Sequence, residues 1–350
     1  MNPASNPASD ATPIAAARPA FELPPPPLDR WREGNTGLEG VWRFDAAVPG
    51  RQVLLTALVH GNEICGAWAL LGALEAGLRP VQGNLTLAFC NLAAFDRFDA
   101  ARADDSRFVD EDFNRVWGPG LAASQAASQA ASEAAPAAGT SERRRAQALR
   151  PIIESADWLL DLHSMHEPGA PLMLTGLLPR NIALARQLGT PAHVVVDAGH
   201  AQGRRMRDHG RFGDADATDT CALLMECGFH GALSSRVLAF DVMVRFLAAS
   251  GVVPAEAMPA AWWQPAPATR QVLEVTHAVA ARSMSVQFAA PWRNGQAIAQ
   301  AGTVLGWNDG EAFSTPYDHC TLVMPSLRQL RPGVTVMRLA RQRDDAPLVS

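Results

Sequence analysis

The sequence predicts an α/β fold, a sheet flanked by helices on both faces, followed by a small all-β C-terminal domain. Two observations carry this. Apolar runs of strand length, QVLLTALV, NLTLAFCN, DWLLDLH, AHVVVDA and CALLMEC, alternate with helix-like periodic segments, and continuous apolar strands belong in a sheet covered on both sides. After EAMPAAWWQPAPAT the character changes to QVLEVTHAV, SMSVQFAA, TLVMPS and VTVMRLA, short strands punctuated by Gly, Pro, Asn and Asp.

Residues 1–29, ending in LPPPPLD, are rich in Ala, Pro and Ser. They bury too little surface to offset ordering and are expected to form a disordered tail. Residues 30–255 make the α/β domain. Within it LAASQAASQAASEAAPAAGT, 121–140, repeats AASQ and reads as an inserted mobile loop or frayed helix. The clearest helix is 232–250, where Leu233, Val237, Phe240, Val244 and Leu247 follow a 4-3-4-3 spacing and Gly251 closes the end. Residues 256–350 are the β-rich C-terminal domain, its strands starting near residue 268.

At 350 residues and 48% hydrophobic content the chain can bury a sizeable core. Its net charge of -5 comes from 30 basic residues, all arginine, against 35 acidic ones. That balance argues against nucleic acid as a partner, and Arg143 to Arg145 read as the solvated start of a helix. Cys65, Cys90, Cys221, Cys227 and Cys320 form no CxxC pair, so neither a disulfide framework nor a cysteine zinc site is indicated and a reducing cytoplasm fits. The first residues lack the basic start and apolar core of a signal peptide. The apolar run 64–74 is too short to span a bilayer. The expected partner is a small-molecule substrate, with no nucleic acid and no membrane, and a homo-oligomer left open.

Three predicted strands run into a residue that can do chemistry: VLLTALV into His60, WLLDL into His163, CALLM into Glu226. Sites in open α/β sheets collect beyond the carboxyl ends of strands. His60 and Glu63 lie three apart where strand gives way to helix, and with His163 they make the three-ligand shell of a catalytic zinc that leaves a position for water. Taken singly, Glu63 also fits an acid favoured by a helix N-terminus, and His60 a strand-end histidine. Asp161 can orient His163 from behind, while His166 in HSMHEPG competes as a ligand. Glu226 leaves an apolar strand, where a carboxylate is costly unless paired or catalytic. It can act as general base, as a fourth ligand, or as half of a buried ion pair. Arg107, Asn114 and Arg115 sit in ADDSRFVDEDFNRVWGPG, which in isolation is a charged surface loop but can also bind a carboxylate and a developing oxyanion. Cys65 and Cys227 each neighbour a candidate site residue, so a thiol facing the site would make activity sensitive to alkylation.

HGNE at 60–63, R-x6-N-R from Arg107 to Asn114 and Arg115, DLH at 161–163 and ECG at 226–228 together resemble the succinylglutamate desuccinylase/aspartoacylase family, relatives of the zinc carboxypeptidases. The resemblance implies a carboxypeptidase-like mixed sheet flanked by helices, with a β domain partly covering the site. His60, Glu63 and His163 would hold one zinc per chain and Glu226 would activate water. Arg107 would polarise the amide carbonyl, and Asn114 and Arg115 would grip a substrate carboxylate. Tyr317, the only tyrosine, is by the same resemblance a candidate substrate-binding residue, although a turn residue after Pro316 is the plainer reading. The implied activity is a zinc-dependent amidohydrolase acting on an N-acyl amino acid or related small amide. A zinc carboxypeptidase for short peptides and a non-catalytic metal-binding sensor module are the alternatives. The arginine that reads a second carboxylate in aspartoacylase has no clear match, with Arg204, Arg205, Arg207 and Arg211 as substitutes.

Overall fold

The computed structural model describes residues 19–118, 121, 139–200 and 202–343. Most of the expected tail, residues 1–18, and nearly all of the 121–140 insertion lie outside them.

The core is one mixed sheet of eleven strands. Its centre is parallel: β2 (Gln52–Ala57) lies between β3 (Asn84–Phe89) and β4 (Trp158–Met165), and β7 (Cys221–Phe229) follows β4. β1 (Val41–Asp45) closes one edge antiparallel to β3. Beyond β7 come β5 (Leu172–Leu174), antiparallel to it, then β6 (His193–Val196) and β8 (Gln271–Ala280), parallel to β5 and to β6 respectively. β14 (Thr335–Gln342), β13 (Cys320–Val323) and β10 (Ala297–Ile298) complete the ladder antiparallel. β9 (Val286–Phe288), β11 (Val304–Asn308) and β12 (Glu311–Ser314) form a separate antiparallel sheet.

Side chains alternate across the pleat as the period of two requires. Val53, Leu55, Ala57, Leu160, Leu162, Leu223 and Met225 enter one apolar layer with α1 (Cys65–Glu75), α4 (Pro179–Leu188) and α5 (Leu233–Ser250). Leu54, Leu159 and Ala222 enter the opposite layer with Ala146, Leu149 and Ile153 of α3 (Ser141–Ser155). A short α2 (Leu92–Phe95) follows β3, capped by the Asn91 side chain. This is the helix-flanked mixed sheet expected from the sequence, with a further small antiparallel sheet near the C-terminus.

Two details differ from expectation. α5 ends at Gly251 in a left-handed conformation as predicted, but Leu233 and Val237 are 52% and 47% exposed, while Phe240, Val244 and Leu247 are buried with Met243 and Phe246. The helix starts at the rim, and its large apolar side chains are buried only from Phe240 onward. Residues 19–29 lie against the body rather than trailing from it. The amides of Glu22 and Leu23 donate to Gly231 O at 2.8 and 2.9 Å, Trp68 Nε1 donates to Pro24 O at 2.8 Å, and Leu23 and Leu28 are buried. The proline run has little backbone freedom to lose, so its docking costs little entropy.

Candidate active site

β2 stops at Ala57, and Leu58 takes a left-handed φ of 55°, which turns the chain out of the ladder. The amide of Glu63 closes the turn by donating to His60 O at 3.1 Å. Gly61 is required here, because a Cβ would lie 2.4 Å from both Ala94 C and Ser106 O. Its absence lets the loop carrying Arg107 lie on the turn, and Gly61 N donates to Arg107 O at 3.1 Å.

His60, Glu63 and His163 are buried together, with one candidate ligand atom from each within 4.8 Å of the others. Among the described residues they are the one such group of three. His60 Nδ1 is 2.7 Å from Glu63 Oε1, and His163 Nδ1 is 2.6 Å from Glu63 Oε2. The other ring nitrogens are fixed from behind. His163 Nε2 meets Asp161 Oδ2 at 2.8 Å, and His60 Nε2 meets Asp112 Oδ1 at 3.1 Å. Asp161 is itself held by Thr56 Oγ1 at 2.7 Å. A carboxylate behind each imidazole keeps a proton on Nε2 and leaves Nδ1 to bind a cation. The donor set therefore fits zinc, with two nitrogens and a carboxylate. Burial pushes the Glu63 carboxyl up, but His60 and His163 outweigh it and hold the group well below the usual carboxylate range. Burial lowers His163, and Asp161 and Glu63 more than reverse this. The proton that His163 then carries between Nδ1 and Glu63 is one a divalent cation would displace.

The loop that isolated reading makes a surface loop is pinned into the site. Glu142, buried in the first turn of α3, accepts from the amides of Val109, Asp110 and Glu111 at 2.7, 3.0 and 3.3 Å and from Asn91 Nδ2 at 3.0 Å. Its carboxylate replaces water for a bend that no helix or strand satisfies. Arg107 then donates to Glu63 Oε1 at 3.0 Å and Asp112 Oδ2 at 3.1 Å. Asn114 is buried, accepts from Met206 N at 2.8 Å, and lies 3.4 Å from His163 Nε2 through Nδ2.

Glu226 lines the same cavity, of about 150 Å³. Its Oε2 is buried without a hydrogen-bond partner among the described residues. Burial, joined by the charge of Glu63, pushes its pKa up to about 8. A carboxyl so placed can exchange a proton near neutral pH.

The far wall is cationic. Arg115, Arg205 and Arg338 line the cavity. Arg205 Nη2 donates to Asp197 Oδ2 at 2.8 Å, and Arg338 Nε lies 3.3 Å from the same oxygen. Arg205 Nη1 has no partner among the described residues. Arg115 Nη2 and Arg338 Nη2 converge on His200, at 3.2 and 3.0 Å from its Nε2. Burial, reinforced by the neighbouring guanidinium groups, lowers both Arg115 and Arg338 to about 10. Excess positive charge in a closed space favours an anionic ligand.

The structure thus brings His60, Glu63, His163, Arg107, Asn114, Arg115 and Glu226 to one cavity. It does not bring Tyr317 there: the ring packs with Leu305 and Leu322, and its hydroxyl lies 2.6 Å from Thr276 Oγ1. His166 lines the cavity but stands outside the three-ligand group. Of the four substitute arginines, Arg205 lines the cavity, Arg204 is exposed, Arg207 is buried beside Asp208, and Arg211 pairs with Asp219. Sequence reasoning missed Asp112, His200 and Arg338. For Arg338 the signal was present: an arginine inside the apolar run VTVMRLA carries the same meaning as the glutamate inside CALLMEC.

Fold and site together define a hydrolase. The chain belongs to the succinylglutamate desuccinylase/aspartoacylase family, whose catalytic domain matches residues 49–228, just over half of the sequence. No curated protein matches the sequence. Among solved structures it is similar to a succinylglutamate desuccinylase/aspartoacylase from Rhodobacter sphaeroides, at 19% identity and TM-score 0.61 over 87% of this chain and 89% of that one. A succinylglutamate desuccinylase from Vibrio parahaemolyticus gives 17% and 0.59, over 87% and 86%. A product-bound ectoine utilization protein from Ruegeria pomeroyi gives 16% and 0.57, over 86% and 87%.

Proposed function

We propose that the chain is a zinc-dependent amidohydrolase, with one zinc per chain, that splits an N-acyl amino acid or related small amide into a carboxylate and an amine. The observation that carries this reading is the meeting of His60 Nδ1, Glu63 and His163 Nδ1 beside the unpartnered carboxyl of Glu226. Zinc held by these three residues would supply Lewis acidity to the amide carbonyl and lower the pKa of water. Glu226 accepts the proton of the attacking water at its unpartnered oxygen and returns it to the departing nitrogen. Arg107 donates to the carbonyl oxygen as negative charge grows there. Asn114 and Arg115 orient the substrate through its carboxylate, and the cationic wall of Arg205 and Arg338 favours a second anionic group.

The substrate is a small molecule, which the cavity volume supports. All five cysteines are free thiols, which suits a reducing cytoplasm, and no helix among the described residues is long and apolar enough to cross a membrane.

The test is metal analysis of the purified chain with amine release from parallel panels of N-acyl amino acids and dipeptides. One zinc per chain, turnover of the acyl panel, and loss of that turnover with a chelator are expected. Preference for dipeptides would make the enzyme a carboxypeptidase. Bound zinc with turnover of neither panel would make it a binding module.

A further inference from the structure

His166 and His230 have no part in the reading above, yet they join the site through a continuous chain of contacts. Ser164 Oγ lies 2.8 Å from His230 Nδ1, and His230 Nε2 lies 3.2 Å from His166 Nδ1. His166 Nδ1 is also 3.3 Å from Asp104 Oδ1, and His166 Nε2 is 3.3 Å from Arg107 Nη1. A guanidinium group has only donors, so His166 Nε2 must present a lone pair to it. The imidazole proton is then on Nδ1, shared between Asp104 and His230 Nε2. His230 Nε2 is in turn an acceptor, and its own proton, on Nδ1, goes to Ser164. Every link has one direction, and Arg107 sets it.

We propose that His166 is a positioning residue for Arg107, holding the guanidinium by a neutral acceptor whose tautomer is locked by Asp104, His230 and Ser164. The proposal rests on the reading that Arg107 acts on the substrate carbonyl. Glu63 and Asp112 also hold Arg107, but each offsets its charge. His166 adds a second hold on Nη1, which already donates to Glu63, and being neutral it offsets no further charge from a developing oxyanion. Protonation of His166 would replace the lone pair with an N–H aimed at a cation and push Arg107 away. The charged and titratable groups around the ring are Asp104, Arg107, Glu63 and His230. Burial lowers the pKa of His166, and burial with His166 as neighbour lowers that of His230 well below its ordinary value. Both rings are therefore neutral at pH 7.

The test uses the zinc-loaded full chain. In the wild type, ¹⁵N imidazole resonances at pH 7 are expected to show His166 protonated on Nδ1 and bare at Nε2. His166→Leu should lower kcat roughly 10- to 100-fold, at or below the loss of an oxyanion donor, with KM little changed. His166→Gln, whose amide oxygen can accept from Arg107, should recover most of that loss and remove the contribution of His166 to the acid limb of the pH–rate profile. An Nε2–H tautomer overturns the proposal, as does a folded His166→Leu enzyme with wild-type kcat and acid limb. If the wild type hydrolyses no amide, the functional reading fails, while the tautomer still decides whether His166 holds Arg107.

Discussion

Glu226→Gln exchanges a buried carboxyl for an amide of nearly equal size where one oxygen lacks a partner. In the metal-free chain, burial and the charge of Glu63 raise its pKa from 4.5 to about 8. An acid raised in the folded state costs nothing below its unfolded pKa; the cost grows between the unfolded and folded values and levels off above the folded one. At about 1.4 kcal/mol per pKa unit, the raised Glu226 costs the fold on the order of 4 kcal/mol by pH 8.5. The glutamine carries no such charge, although its own unpaired amide costs about 1–2 kcal/mol. The metal-free variant should therefore be more stable than wild type by about 2–3 kcal/mol at pH 8.5, with the gain gone at pH 4.5. Urea denaturation at the two pH values reads this directly. With zinc restored, turnover should fall by about 10²- to 10⁴-fold while the metal stays bound. A stability difference independent of pH would refute the buried, unpaired state assigned to Glu226. Unchanged turnover would remove it from the mechanism.

Arg338→Ala should raise KM about 10- to 100-fold for N-acyl amino acids bearing a second carboxylate, the value of a charge-assisted hydrogen bond, with kcat nearly unchanged. An equal loss on neutral substrates would mean the cationic wall does not read charge. Glu142→Ala strips the acceptor from three loop amides and Asn91, and should destabilise the chain by about 3–5 kcal/mol. An unchanged melting temperature would show that the loop holds itself. Cys65 and Cys227 are buried and outside the cavity lining, so thiol reagents should leave the native enzyme active. Activity lost in step with modification would place a thiol in the cavity.

The strands that hold the candidate ligands were readable because parallel strands buried on both faces are apolar along most of their length, so the few polar residues in WLLDLH and CALLMEC stand out. Motif order then placed His60, Glu63, His163 and Glu226 at one sheet edge. What stayed hidden depends on contacts between distant segments. β5 is three residues long and β8 pairs with β6 rather than only with later strands, and no local pattern announces either. The loop from Arg107 to Arg115 looks solvated because its polar groups find partners only in folded space, through Glu142 and the imidazoles. Leu233 and Val237 show the reverse error, apolar spacing at a rim that the core does not reach.

The pairing of β6 with β8 also bears on how substrates are accommodated. Arg338 and Thr335 on β14 face the same cavity as Glu226 and Leu224 on β7, and both walls belong to one uninterrupted ladder. Spreading these two strands would mean tearing backbone hydrogen bonds across β5, β6 and β8, so this part of the chamber wall is held fixed by the sheet. A different substrate would be met at this wall by exchanging individual side chains, so selectivity set by β7 and β14 should drift one residue at a time.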